Sequence, residues 1–184
     1  MPAARSGFSW IALLAFAGLA ACGAPEAKAP RPALVLTGRI VDEADLLPPT
    51  LEAKLTTVLA ALEQDQGPQF VIATTRSLQG RRIEDYSIDL ARAWGIGSAQ
   101  RHDGVVLLVA PRERKVRIEV GTGLEKRLPD EFCAKVIRET IVPALQRGDF
   151  PGGIERGAGA LIEQMRRTPV ASLGLFPQRP RMAA

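Results

Sequence analysis

Asp103-Gly104-Val105-Val106-Leu107-Leu108-Val109-Ala110-Pro111-Arg112-Glu113-Arg114-Lys115-Val116-Arg117-Ile118-Glu119-Val120-Gly121 decides the fold. Positions 105–110 are apolar without a break, the pattern of a strand covered on both faces. Positions 115–120 alternate: Val116, Ile118 and Val120 fall on one side, Lys115, Arg117 and Glu119 on the other. That strand has one buried and one polar face and belongs nearer the edge of a sheet. Only Pro111 to Arg114 separate the two runs, so they form an antiparallel hairpin.

Outward from the hairpin the period changes to that of helices. Leu51, Leu55, Val58, Leu59 and Leu62 repeat at helical spacing, entered through Pro48-Pro49-Thr50 and ended by Gly67-Pro68. Phe70 to Ala73 is a short β-type run, and Ile83, Tyr86, Leu90 and Trp94 mark a second helix closed by Gly95. Beyond the hairpin, Phe132, Val136, Ile137 and Leu145 face inward on a helix capped by Asp130 and kinked at Pro143. Ile154, Ala158, Leu161, Ile162 and Met165 mark the last helix. A strand–helix–strand crossover followed by a hairpin predicts an α/β domain over 34–166, with helices packed on a small mixed sheet. Residues 167–184 carry proline and arginine with no period and read as a loose tail.

The N-terminus sets the address. Arg5 precedes an apolar run from Phe8 to Ala21, and 14 residues are too few to span a bilayer, which takes roughly 20 in a helix. A charged start, an apolar middle and small residues make residues 1–21 a secretory signal. Leu19-Ala20-Ala21-Cys22 resembles the lipobox of bacterial lipoproteins, which implies a lipidated Cys22 as the mature N-terminus. The plainer alternative is an ordinary signal with a cysteine near its cleavage site. Residues 22–33, with three prolines, read as a flexible tether. Gly23 stands where a retention-type aspartate occurs in such proteins, which favours the outer membrane of a bacterial envelope.

Composition excludes several classes. Net charge is +4, with acids and bases mixed along the chain, so no basic stripe marks a nucleic-acid partner. One histidine, His102, rules out a zinc site of several histidines. Cys22 and Cys133 are the only cysteines, so a lipidated Cys22 leaves Cys133 as a lone, buried thiol. No P-loop and no Gly-x-Ser-x-Gly elbow is present. Gly95-Ile96-Gly97 follows a helix rather than a strand, which rejects a dinucleotide loop. Carboxylates remain. Strand directions put Asp103 beside Gly121-Thr122-Gly123-Leu124-Glu125, with Asp130 at the same edge, an arrangement suited to a hard cation such as Ca²⁺. The alternative is structural: Asp103 in a turn, Asp130 as a cap and Glu125 in solvent. Asp42 and Asp45 precede the first helix, and about 27 Å of extended chain lets Asp42 reach either edge. Arg112, Arg114 and Lys115 make a basic hairpin tip, suited to lipid headgroups, an acidic partner or plain solvation.

Trp94-Gly95-Ile96-Gly97, Asp103 to Ala110, Arg114 to Glu125 and Leu128-x-Asp130 together resemble the TPM domain. Gly38 to Ala44 and Gly148-Asp149-Phe150-x-x-Gly153-Ile154 extend the similarity over about Leu36 to Met165. The resemblance implies a Rossmann-like α/β/α sandwich, exported and membrane-tethered. Its relatives include a thylakoid-lumen protein tied to photosystem repair with acid phosphatase activity, and bacterial members that bind calcium. Carried over, Asp42, Asp103, Glu125 and Asp130 become the candidate ligands for Ca²⁺ or another divalent cation. This chain departs from the family at His102, at Thr122 where tyrosine is common, and at Lys126 where glycine is common. Two functions are implied: an accessory domain that assembles or maintains an envelope membrane-protein complex, or a metal-assisted phosphatase. In the second, Arg117 would steady phosphoryl oxygens; an Arg117–Glu119 pair is its structural alternative.

Overall fold

The computed structural model describes residues 34–167. Strand β1 (Ile40–Asp42) leads into helix α1 (Pro49–Gln66), β2 (Gln69–Thr74), helix α2 (Ile83–Trp94), β3 (Gly104–Ala110) and β4 (Lys115–Val120). Helices α3 (Asp130–Val136), α4 (Val142–Gln146) and α5 (Phe150–Arg167) follow. The sheet order is β1-β2-β3-β4, parallel over the first three strands and antiparallel for β3–β4. The expected mixed sheet with its hairpin is present, with β4 at the edge.

Sequence punctuation sets the helix ends. Pro49 opens α1 at a position where its missing N–H costs nothing, and Gly67 closes it in the left-handed conformation at φ 86°. Gly95 closes α2 in the same way at φ 62°. Pro143 has no N–H to offer the turn before it, and that turn widens: Ile137–Ile141 is a π-turn joining α3 to α4, with the Val142 N–H on the Ile137 carbonyl. The kink read at Pro143 takes this form.

Two expectations are corrected. Ile40–Asp42, to which the sequence pattern assigns no element, is a parallel edge strand pairing Ile40 with Ile72 and Asp42 with Thr74. Three residues with a single buried side chain, Val41, carry no period to detect. Asp130 does not cap α3. Pro129 holds the cap position, and Asp130 is the first helical residue with an exposed side chain.

Side chains of β3 alternate between two cores. Val105, Leu107 and Val109 face α1, α3, α5 and the π-turn, while Val106, Leu108 and Ala110 face α2, Leu34 and Leu78. Val105 to Ala110 are each 0–1% exposed, which is why the run needs no polar position. Each valine or leucine among them contributes about 1.5–3 kcal/mol on burial. The result is a three-layer α/β/α sandwich. α1 and α2 lie on opposite faces although both crossovers step the same way across the sheet, so the two are of opposite hand. One is therefore left-handed, where about 98% of such connections are right-handed.

Candidate functional site

The sheet has two rims, and the candidate acids divide between them. β1, β2 and β3 run parallel, so Asp42 at the end of β1 and Asp103 before the start of β3 stand at opposite rims.

At the rim where the parallel strands begin, segment 121–123 crosses segment 101–104. The Gly121 N–H donates to the Gly104 carbonyl at 2.8 Å and the Gly123 N–H to the His102 carbonyl at 3.0 Å. A Cβ on either glycine would collide with the His102 or Arg101 carbonyl, so the crossing demands glycine. The neighbourhood of Asp103 and the glycine segment read from strand directions is thus present. The carboxylate itself turns elsewhere. Its Oδ1 accepts the Ser98 N–H at 2.8 Å, and its Oδ2 pairs with the Arg101 Nε at 2.5 Å. Arg127 is fully buried, donates to the Met165 carbonyl and feels the Asp103 charge; burial pulls its pKa down while Asp103 opposes that. Glu125, after the 3-10 turn Thr122–Leu124, is exposed, as is Asp130. Asp103 therefore stands between guanidinium groups rather than in a ring of acids.

At the opposite rim, where the parallel strands end, Asp42 accepts the Thr74 hydroxyl on Oδ1 and the Leu47 N–H at 2.7 Å on Oδ2. Glu43 accepts the Thr75 hydroxyl at 2.9 Å and the Arg76 N–H at 3.0 Å. Glu113, from the hairpin tip, accepts the Ser77 hydroxyl at 3.1 Å and the Leu78 N–H at 3.0 Å. Burial raises the Glu113 pKa, but these donors outweigh it and hold the carboxyl below its ordinary value. The buried Tyr86 phenol lies among Thr75, Glu43, Arg81 and Glu113, and burial pushes its pKa up. Ligands of open α/β sheets bind outside this end of the strands. Sequence reading singled out Asp42 here and missed Glu43, Thr75, Ser77 and Glu113; their signal was the hydroxyl cluster Thr74-Thr75-x-Ser77 directly after an apolar strand.

The four acids proposed as cation ligands do not form one donor set. Among the described residues no group of three or more His, Cys, Asp or Glu stands close enough to hold a metal ion. Asp42 is separated from the others by the length of the strands, and both oxygens of Asp103 are engaged. Arg117 is paired with Glu119 at 3.2 Å, and Glu119 also accepts the Ser87 hydroxyl of α2 at 3.1 Å. The structural alternative for Arg117 is the one observed. Cys133 is buried, and its thiol is pushed up to about 11 by burial and then by Asp130. Cys22, the signal 1–21, the tether 22–33 and residues 168–184 of the tail lie outside the described residues.

The N-terminal domain of a protein from P. gingivalis is 30% identical, covering 71% of this chain and 83% of that one with a TM-score of 0.67. The BA42 protein of the psychrophilic bacterium Bizionia argentinensis is 16% identical over 67% of this chain and 84% of its own, TM-score 0.58. The N-terminal domain of the Corynebacterium glutamicum protein cg2496 is 16% identical over 82% and 92%, TM-score 0.54. These last two share the fold. No curated protein matches the chain. The TPM domain model matches residues 40–164, from β1 to the last turn of α5. With the crossing glycines, the hairpin and the sandwich all inside that span, the chain belongs to the TPM domain family.

Proposed function

We propose that this chain is an exported accessory domain, tethered to the bacterial envelope membrane through lipidated Cys22, that docks on a membrane-protein complex and assists its assembly or maintenance. One observation carries the reading: the best-placed acids at both rims spend their oxygens on the domain's own N–H, hydroxyl and guanidinium groups. Carboxylates so engaged fix loops and edges, which is what a binding module requires of them. A metal-assisted phosphatase needs a shared donor set for the ion and a base for the attacking water, and the carboxylates here are committed to neither. Family kinship alone does not transfer an activity.

Two measurements test this. Incubation of the full chain with p-nitrophenyl phosphate, with and without calcium, is expected to give no turnover above buffer. Calcium-dependent turnover lost in Asp103→Asn would overturn the accessory reading. Membrane fractionation of cells should find the protein with the membranes and Cys22→Ser in the soluble fraction; a Cys22→Ser variant that stays with the membranes would remove the lipid tether.

A further inference from the structure

The tip of the β3–β4 hairpin leans over a groove of about 460 Å³, closed on its other side by the α4–α5 junction. Val116, Val142, Leu145 and Phe150 give it an apolar floor, and Arg114 and Lys115 stand exposed on its rim. The volume lies in the range of cavities that take a small ligand or a few side chains. We propose that this groove holds an acidic, extended segment of a partner protein, with an apolar side chain on the floor and carboxylates against Arg114, the Lys115 charge adding to the field from the other face of β4. The proposal rests on the docking reading above and names the partner's chemistry.

Charge argues for the occupant. Two acids that neighbour groove-lining residues in sequence, Glu113 and Asp149, are engaged within the domain. Glu113 reaches back to Ser77 and Leu78, and Asp149 accepts from the Arg156 guanidinium and the Gly152 N–H, each at 2.9 Å. Arg112, Arg114, Lys115 and Arg147 are exposed, and among the described residues none of them forms a salt bridge, although Arg112 lies near Glu113, Arg147 near Asp149 and Lys115 near Glu84. Backbone conformation adds an independent mark. Arg114 sits at φ 55°, the left-handed region where glycine fits freely, so the turn keeps a guanidinium on the rim where hairpin geometry favours a residue without one. The chain's own last stretch, 168–184, carries Arg179 and Arg181 and no acidic side chain, so it does not supply the complementary charge. A groove closed between the hairpin and the α4–α5 junction, with an apolar floor, fits side chains of a peptide segment; a lipid surface is the alternative that the vesicle arm below tests.

The test uses the full chain carrying Cys22→Ser and a fluorescein-labelled seven-residue peptide of alternating aspartate and leucine. A lysine-for-aspartate peptide and phosphatidylglycerol vesicles serve as separate arms. The acidic peptide is expected to bind and the lysine peptide not to. The double variant Arg114→Gly, Lys115→Gln should weaken binding at least tenfold, and raising salt should weaken it progressively. Gln146→Glu, on the exposed α4 side of the groove, offers a second variant should the first disturb the hairpin, and is expected to weaken binding at least threefold. Equal affinity in all variants, or no binding of the acidic peptide, would overturn the groove assignment. Vesicle binding lost in the double variant would also overturn it, assigning the rim to lipid. None of these results alters the hydrolysis or fractionation outcomes, so the groove and the docking reading fail separately.

Discussion

A thiol between Phe132 and Ala134 at the buried face of α3 has no solvent to accept its negative charge. Cys133 is 4% exposed and its pKa is pushed up to about 11, above the ordinary thiol value. Between about pH 9 and 11 the unfolded chain loses this proton while the folded chain keeps it, so stability falls as pH rises across that window. At about 1.4 kcal/mol per pH unit, the loss is on the order of 2–3 kcal/mol. Urea unfolding of the native chain and Cys133→Ala at pH 7 to 11 should show a steeper decline in the native chain. Parallel declines would mean the thiol is not buried as described. Burial of Cys133 was legible from its neighbours. The partner of Asp103 was not: Arg101 and Ser98 are close in sequence, but their placement depends on Gly97 at φ 90° and on the Gly97 N–H meeting the Gln69 side chain at 2.7 Å. No local pattern encodes that contact across the rim.

Elements followed their periods closely, because caps and apolar spacing act locally. α1, α2, β3 and β4 begin and end within a residue or two of the expected positions. What escaped was the short β1, which exists only because β2 offers it a partner. The crossing of 101–104 by 121–123 lies between these cases: strand directions imply it, while its tightness shows only in the glycines. Gly123→Ala should cost about 2 kcal/mol or more, since a methyl there meets backbone carbonyls that have no rotamer to yield. Gly159→Ala is the matched control. That glycine lies inside α5 with nothing within 4 Å of a new Cβ, so alanine there should stabilise by about 0.5–1 kcal/mol. Thermal melts of the two variants should move in opposite directions; a neutral Gly123→Ala would mean the two segments cross with room to spare.

At the scale of the whole molecule the α/β/α layering implied by the family resemblance is present. Two right-handed crossovers would put α1 and α2 on one face; here α2, with Leu34 and Leu78, covers the other. All of α1, α3, α4 and α5 then crowd the first face, and their seam is closed by a buried charge. Arg127, 0% exposed, joins the chain after β4 to the last turn of α5 through the Met165 carbonyl, and the Gln164 side chain returns a bond to the Arg127 carbonyl at 3.3 Å. Its charge is opposed by Asp103, which in turn holds the turn from Ser98 and the Arg101 side chain. Arg127→Met fits a similar volume but strips the donor from a helix-end carbonyl and leaves Asp103 with Arg101 alone, a loss of about 3 kcal/mol. Asp103→Asn keeps an acceptor for the Ser98 N–H and should cost less, about 1–2 kcal/mol. Because each variant removes the other's countercharge, the double variant should lose measurably less than the two single losses together, a coupling of about 0.5–3 kcal/mol in urea unfolding at pH 7. Strict additivity would mean that the two charges do not sense each other, and that the seam is held by apolar packing without an electrostatic link between the β3 rim and α5.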